Sequence, residues 1–179
     1  SVGVRRGYLP QRPQEPVMPP PARPTDGIIL SRFRPARQSS ISPAHSIGKT
    51  VESDAARAVD GIVSETYRFR TDEEHQPWWQ VDLGAVARID GVTVYNLVDP
   101  PDLAVRAVPI AILLSDDGTT WRMAHRSRSD EIFGGADGRP LRWQPDSPVQ
   151  ARYVRIQATR RTALHLSQVE VFGSLQGNA

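Results

Sequence analysis

Residues 65–79, ETYRFRTDEEHQPWW, bring arginine, carboxylate, imidazole and aromatic side chains close together in the chain. Guanidinium and carboxylate groups hydrogen-bond to hydroxyls, and arginine also pairs with carboxylates. His75 follows the acidic run and precedes Pro77 by two positions, which makes it the histidine best suited to a ligand-binding loop. The stretch therefore favours the binding of a polar ligand.

Catalysis and metal coordination find less support in the sequence. Adjacent carboxylates occur in DEE (72–74) and SDD (115–117), but neighbouring strand residues point to opposite faces and turn residues face water. The histidines are widely separated, and His165, within LHL, is expected to face away from the leucines. FGGADG (133–138) lacks the Lys-Ser/Thr pair of a phosphate loop. We therefore predict that the chain is not an enzyme unless a separate catalytic domain is attached to it.

Composition narrows the class of protein further. The chain of 179 residues contains no cysteine, which excludes disulfides, zinc-thiolate sites and cysteine nucleophiles. Its net charge is +2, but residues 1–24 carry +3 and the remainder −1. A nucleic-acid-binding domain should concentrate positive charge on a folded face, so nucleic acid is not expected as a partner. No apolar run approaches the roughly 20 residues that cross a bilayer, so no transmembrane segment is expected.

The first 24 residues hold seven of the 16 prolines. Fixed φ angles and missing N–H donors favour an extended, solvated arm over a packed element. We assign residues 1–30 to this proline-rich arm or linker and residues 31–175 to one folded domain. The arm is also the expected place of contact with a protein partner or a parent assembly.

Short hydrophobic runs separated by turn residues fill the rest of the chain. Strands are predicted in ARIDGVTVYN (87–96), VPIAILLS (108–115), ARYVRIQA (151–158) and LHLSQVEVFG (164–173). The stretch DAARAVDG (54–61) is the only plausible helical turn. Many closely spaced strands with almost no helix are typical of a β-sandwich or jelly roll.

The adjacent tryptophans Trp78 and Trp79 open a run with strand periodicity, WWQVDLG. In a strand, Trp79, Val81 and Leu83 share one face, so we predict that Trp79 lies in the core. Trp78 then points to the other face, where we expect it to lie beneath a loop.

Seven stretches occur in the order found in a known superfamily. They are ARQSS (36–40), AARAVDG (55–61), PWWQVDLG (77–84), RIDGVTVYN (88–96), ILLSDDGTTW (112–121), ARYVRIQ (151–157) and LHLSQVEVFG (164–173). Together they resemble the discoidin-like, coagulation-factor type C superfamily, which includes galactose-binding-like carbohydrate-binding modules and fucose-binding F-type lectins. The resemblance implies an all-β, eight-stranded antiparallel jelly-roll sandwich with ligand-binding loops at one end. It also implies an extracellular or cell-surface location on a bacterium, although the cysteine-free composition leaves the cytoplasm open.

In the resembling F-type lectins, fucose is contacted by a histidine, a later arginine in an Arg-x-Asp motif, and a further basic residue. Here Arg70 stands at the histidine position, Leu97 at the arginine position, and Arg106 near the last basic position. Leu97 cannot donate hydrogen bonds to a hydroxyl, so fucose specificity does not transfer. Two arginines suit a ligand with a carboxylate or vicinal hydroxyls, such as an acidic polysaccharide.

The resemblance also implies a structural calcium ion near the VDG turn, bound by an aspartate, backbone carbonyls and an acidic residue of the last strand. Asp60 matches the aspartate, and the carbonyls of Arg57 and Ile62 match the backbone ligands. Gln168 takes the position of the acidic residue, with Glu170 farther along the same strand face. Since a neutral amide weakens a site that relies on carboxylates, calcium is expected to bind weakly or not at all.

Two functional interpretations remain. The first is a non-catalytic, lectin-like module that binds a glycan or polysaccharide through Arg70, Glu73, His75 and Arg106. One aromatic contact is expected from Tyr67, Phe69 or Phe133. The second is a structural or protein-interaction module of a larger assembly that has lost sugar binding. The changed fucose-type residues favour the second interpretation, and the charged aromatic loop favours the first.

Overall fold

The structure is a computed structural model that describes residues 28–175. Within that part of the chain, the strands are β1 (Ile28–Ile29), β2 (Ala36–Gln38), β3 (Phe69–His75), β4 (Trp78–Tyr95), β5 (Ile110–Ser115), β6 (Arg122–Arg126), β7 (Leu141–Trp143), β8 (Val149–Ala158), β9 (Arg161–Leu166) and β10 (Gln168–Leu175). The helical segments are α1 (Val51–Ala55), a 3-10 turn (Ala56–Ala58) that continues it, and a 3-10 helix (Pro101–Ala107). Residues 1–27 of the predicted arm lie outside the described residues.

Two antiparallel sheets face each other across one core. The large sheet has the order β1-β10-β4-β8-β5-β6, with β2 and β7 also paired to β4, and the small sheet pairs β3 with β9. The predicted all-β antiparallel sandwich is confirmed. The described residues form ten strands where eight were expected, and three of them, β1, β2 and β7, are short segments of two or three residues. β1 begins at Ile28, within the last residues assigned to the arm.

β4 carries the alternation that the sequence predicted. Trp79, Val81 and Leu83 point into the core and are at most 1% exposed. Trp79 stacks on Phe69 of β3 with the ring centroids 6.1 Å apart, and its Nε1 donates to the Ala55 carbonyl at 3.0 Å. These contacts join both sheets and α1, so Trp79 is a core residue as predicted.

The outer face of β4 carries a stack of aromatic and guanidinium groups. Trp78 is half-buried there beneath Arg155 of β8, so the expectation that it lies beneath a loop is wrong. The Arg155 guanidinium carbon lies 4.1 Å from the ring centroids of both Trp78 and Trp121. Its Nε and Nη2 donate to Gln80 Oε1 at 3.1 and 2.7 Å. Burial lowers the pKa of Arg155 to about 10, so the group stays charged at neutral pH.

The sequence indicated one helical turn, and the structure adds a second helical segment. α1 and the 3-10 turn after it cover residues 51–58, which overlaps the predicted turn. The 3-10 helix Pro101–Ala107 was not predicted, although proline at a first helical position is a known start signal. Among the described residues, no helix is long and apolar enough to cross a membrane.

Candidate ligand-binding site

The face of the small sheet that points away from the core carries a group of polar side chains. Arg70 on β3 lies directly opposite His165 on β9 in the antiparallel register. The Tyr67 ring centroid lies 5.7 Å from that of His165, and the Arg70 guanidinium carbon lies 5.8 Å from the Tyr67 centroid. The charge of Arg106 also acts on His165. We call Tyr67, Arg70, Arg106 and His165 the β3–β9 cluster.

His165 is fully buried, and neither of its ring nitrogens has a hydrogen-bond partner among the described residues. Burial first, and then the positive charges of Arg70 and Arg106, lower the pKa of His165 to about 4. The imidazole is therefore neutral at neutral pH, with one N–H donor and one acceptor nitrogen. A buried polar group without a partner is costly unless a water or a ligand satisfies it.

Arg70 is fixed through its backbone. Its N–H donates to Asp54 Oδ2 at 2.9 Å, and its carbonyl accepts a hydrogen bond from Gln38 Nε2 at 2.9 Å. The Arg70 Nε, in contrast, is buried without a partner in the part of the chain that the structure describes. The position of Arg70 is thus set by the strand, while its Nε is left without a hydrogen bond to the described residues.

Asp54 on α1 is a positioning residue that was not predicted. It is fully buried, and its Oδ1 accepts hydrogen bonds from the Ile47 and Gly48 N–H groups at 3.1 and 2.7 Å. Its Oδ2 accepts from Arg70 N and from Gln38 Nε2, both at 2.9 Å. One carboxylate therefore ties β2, β3 and the loop before α1 together. The only signal in the sequence was an aspartate within the predicted helical turn.

Arg106 belongs to the 3-10 helix Pro101–Ala107. Arg160, between β8 and β9, holds this helix in place. Its Nε donates to the Val108 carbonyl and its Nη2 to the Val105 carbonyl, both at 2.8 Å. The helix brings Arg106 close enough for its charge to lower the pKa of His165.

The other two predicted site residues lie on β3, farther along the same face of the small sheet, so the expectation that His75 lies in a loop is wrong. Glu73 is opposite Ala163 and His75 is opposite Arg161, beyond a bulge in β3. Alternate residues of β9 share a face, so these pairs lie two and four β9 positions from His165. Both Glu73 and His75 are exposed. They are therefore on the cluster's face but not at its centre.

Among the three aromatic candidates, Tyr67 joins the cluster and the other two do not. Phe69 and Phe133 are 0% and 7% exposed and belong to the hydrophobic core, so of the three alternatives for one aromatic contact their burial leaves Tyr67. Phe69 points inward because it precedes Arg70 by one strand position. Leu97, at the arginine position of the F-type motif, is also fully buried.

The residues predicted to bind calcium meet at the side-chain amide of Gln168. Its Nε2 lies 2.9 Å from Ile62 O, 3.1 Å from Asp60 Oδ1 and 3.3 Å from Arg57 O. Its Oε1 accepts the Gly61 N–H at 2.9 Å. The Gln168 side chain therefore closes this turn through hydrogen bonds, with its nitrogen as the donor and its oxygen as the acceptor.

The two acidic residues near this turn are already paired. Asp60 Oδ2 forms an ion pair with Arg68 Nη2. Glu170 pairs with Arg32 Nη2 at 3.3 Å and accepts the Tyr95 hydroxyl at 2.8 Å. Since no acidic side chain is directed at the centre of the turn without a cationic partner among the described residues, this set does not fit a calcium ion.

Several solved structures are similar to this chain. The lectin domain of lectinolysin, solved in complex with Lewis B antigen, is 29% identical over 82% of this chain and 97% of its own, with a TM-score of 0.63. A fucolectin from the serum of striped bass (Morone saxatilis) is 25% identical over 83% of this chain and 48% of its own, with a TM-score of 0.66. A fucose binding module from Streptococcus pneumoniae is 21% identical over 86% of this chain and 100% of its own, with a TM-score of 0.63, and supports the fold alone.

Curated proteins and protein-family profiles give two further comparisons. A search of curated proteins finds no match. The profile of the F5/8 type C domain, however, matches residues 36–170, a range that runs from β2 into β10 and includes most of the described sandwich. The chain therefore belongs to the F5/8 type C domain family.

Proposed function

We propose that this chain is a non-catalytic carbohydrate-binding module and that the β3–β9 cluster binds a glycan carrying a carboxylate. The observation that supports this proposal is the unused hydrogen-bonding capacity of the cluster. Arg70 Nε and both ring nitrogens of His165 are buried without partners among the described residues. Leaving such a group unsatisfied costs about 1–3 kcal/mol, so their concentration at one place favours a ligand site.

The donors and acceptors of the cluster suit an acidic sugar. Arg70 and Arg106 offer only donors, which a carboxylate accepts in charge-assisted hydrogen bonds. Neutral His165 is fully buried beneath these groups, so the direct contacts to the sugar come from the half-buried Arg70, Arg106 and Tyr67. The Tyr67 ring adds an apolar surface for the C–H face of a sugar ring.

The exposed pair Glu73 and His75 extends the site along the small sheet. Their distance of two and four β9 positions from His165 suits contacts with a second sugar residue. A polysaccharide or oligosaccharide would therefore use more of this face than a monosaccharide. Such a ligand is consistent with a module that acts outside a bacterial cell or on its surface.

Fucose is a poorer match, although one similar structure is a fucose binding module. Arg70 replaces the histidine of the F-type motif, and the buried Leu97 replaces its arginine. An apolar side chain supplies no hydrogen bond to a hydroxyl. We therefore expect that free fucose is not bound in the F-type manner.

Calorimetric titration of the chain with oligogalacturonate, fucose and a neutral oligosaccharide tests the proposal. We expect the acidic ligand to bind most tightly. Arg70→Ala and Arg106→Ala should each weaken its binding at least about tenfold, because a hydrogen bond to a charged group contributes about 1.5–3 kcal/mol. Arg88→Ala is the matched control, since it removes an exposed arginine from the large sheet, and it should bind like the parent chain.

Three results would contradict parts of the proposal. Tight fucose binding would contradict the specificity, and acidic-ligand binding that both substitutions leave unchanged would contradict the site. No binding to any of the oligosaccharides would favour the second interpretation, a structural or protein-interaction module without sugar binding. The buried Leu97 is the observation that favours this alternative.

A further inference from the structure

We infer that Gln168 and Arg68 take the place of a calcium ion in the VDG turn, so that this turn is held without metal. The three oxygens expected to bind calcium belong to Arg57, Asp60 and Ile62. All three instead lie within hydrogen-bonding distance of the Gln168 amide nitrogen, at 3.3, 3.1 and 2.9 Å, and share its two N–H donors. The inference does not depend on which ligand the β3–β9 cluster binds.

The orientation of the Gln168 amide follows from its partners. Nε2 faces the three oxygen acceptors, whereas Oε1 faces the Gly61 N–H at 2.9 Å. The flipped amide would direct Oε1 at three oxygens and Nε2 at an N–H donor, so every one of these contacts would become repulsive. The nitrogen therefore occupies the centre of the oxygen cage.

The dimensions of the cage agree with this assignment. Calcium–oxygen distances are about 2.3–2.6 Å, whereas N–H···O hydrogen bonds measure about 2.7–3.2 Å between heavy atoms. The three oxygens lie 2.9–3.3 Å from Gln168 Nε2, which is at or just beyond hydrogen-bonding distance and well outside a calcium–oxygen bond. A calcium ion at this point would require the Gln168 side chain to leave and the oxygens to move inward.

Arg68 supplies the positive charge that a cation would otherwise bring. Its Nη2 pairs with Asp60 Oδ2, and its Nε donates to the Arg57 carbonyl at 3.0 Å. That carbonyl also accepts from Gln168, so both of its lone pairs are used. Arg57 Nε donates in return to the Arg68 carbonyl at 2.8 Å. Arg68 therefore neutralises the Asp60 carboxylate, and Arg68 and Gln168 together use both lone pairs of the Arg57 carbonyl.

This turn leads directly into the strand that carries the β3–β9 cluster. Arg68 N donates to the Leu166 carbonyl at 2.8 Å, immediately before β3 begins. Tyr67 precedes Arg68, and Arg70 follows it by two positions. A turn that needs no calcium therefore keeps these two side chains in place when calcium is removed.

Thermal unfolding in millimolar calcium chloride, magnesium chloride or EDTA tests the inference. The parent chain should melt within about 1 °C in all three solutions, because an ion that does not bind the folded state cannot stabilise it. Gln168→Met keeps the shape but removes the donors, so it should melt about 5–10 °C lower in every solution. Gln168→Glu should melt below the parent in EDTA and recover in calcium, because its carboxylate restores a charged ligand.

The matched control is Gln150→Glu, which adds a carboxylate at an exposed position of β8 and should show no calcium response. Calcium titration by calorimetry gives a second readout, with heat of binding expected for Gln168→Glu alone. A parent chain that melts higher in calcium than in EDTA would overturn the inference. So would a Gln168→Met chain that melts like the parent, or a Gln168→Glu chain that does not respond to calcium.

Discussion

Arg155 and Arg70 lie on opposite outer faces of the same sandwich, and their surroundings differ. Arg155, on the large sheet, lies 4.1 Å from the ring centroids of Trp78 and Trp121 and donates twice to Gln80. Arg70, on the small sheet, has a buried Nε without a partner among the described residues. The first guanidinium has its hydrogen bonds and both aromatic neighbours in place, whereas the Nε of the second makes no hydrogen bond to the described residues.

The difference shows which polar surface of a sandwich is a candidate for binding. Two tryptophans on an outer face resemble a sugar platform, but Arg155 covers a face of both Trp78 and Trp121. The small sheet has one tyrosine and looks less suited to a sugar, yet it holds the unsatisfied nitrogens of Arg70 and His165. Unused hydrogen-bonding groups therefore distinguish the two faces better than the number of aromatic rings does.

The largest expected effect concerns Trp79, which lies in the core between the two faces. Trp79→Ala should lower the free energy of unfolding by about 3–5 kcal/mol, as is usual for a large buried aromatic side chain. Trp78→Ala is the matched control, and we expect a loss of only about 1–2 kcal/mol because Trp78 is half-buried and its main partner is a cation. Urea denaturation of both variants measures the difference, and equal losses would contradict the assignment of Trp79 to the core.

The next effect is a pH dependence of stability caused by His165. Its folded-state pKa of about 4 lies below the ordinary value of 6.5, so the unfolded chain takes up a proton first as the pH falls. The stability associated with the neutral imidazole is complete above pH 6.5 and is lost as the pH falls to about 4. The expected loss is about 3 kcal/mol.

His165→Gln removes this titration, so the difference in unfolding free energy between parent and variant should change across that pH range. Met123→Gln, a substitution of an exposed, non-titrating residue on β6 of the large sheet, serves as the control and should leave the pH dependence of the parent unchanged. If the parent and His165→Gln lose stability in parallel between pH 6.5 and 4, then His165 is not held neutral by the fold.

The smallest expected effect compares the two arginines directly. Arg155→Met should lower the free energy of unfolding by about 1–2 kcal/mol, because it removes a cation stacked on two rings and two hydrogen bonds. Arg70→Met should change it by less than about 0.5 kcal/mol, because the Arg70 Nε makes no hydrogen bond to the described residues. Denaturant unfolding of the two variants checks this order, and a larger loss for Arg70→Met would make Arg70 a structural residue.

The burial of Trp79 could be predicted from the sequence because it depends on a period of two along a single strand. The antiparallel arrangement of the strands was implied by the family resemblance. The pairing of Arg70 with His165 could not, since it depends on the register between β3 and β9, which are far apart in the chain. His165 was predicted to face away from the leucines, and the strand register agrees, since His165 lies opposite Arg70 while the next residue, Leu166, lies opposite the core residue Phe69. Its position beside Arg70 could be seen only in the structure.

Resemblance and structure contributed differently at the VDG turn. The resemblance identified the atoms of Arg57, Asp60, Ile62 and Gln168 as neighbours, and they do converge. That an amide nitrogen stands at their centre could not be read from the sequence, because a glutamine can present either its oxygen or its nitrogen. The ion pair of Arg68 with Asp60 likewise depends on a fold-specific approach of two side chains.

The pairing of Ile28 with Gly173 and of Ile29 with Phe172 has a mechanical consequence. In this antiparallel pair, the start of β1 and the end of β10 lie side by side, so the chain enters and leaves the sandwich at one point. Tension applied between the start of β1 and the end of β10 would break the hydrogen bonds of this pair one after another. The β3–β9 cluster lies on the other sheet, so tension across β1 and β10 would separate β1 before it reached this cluster.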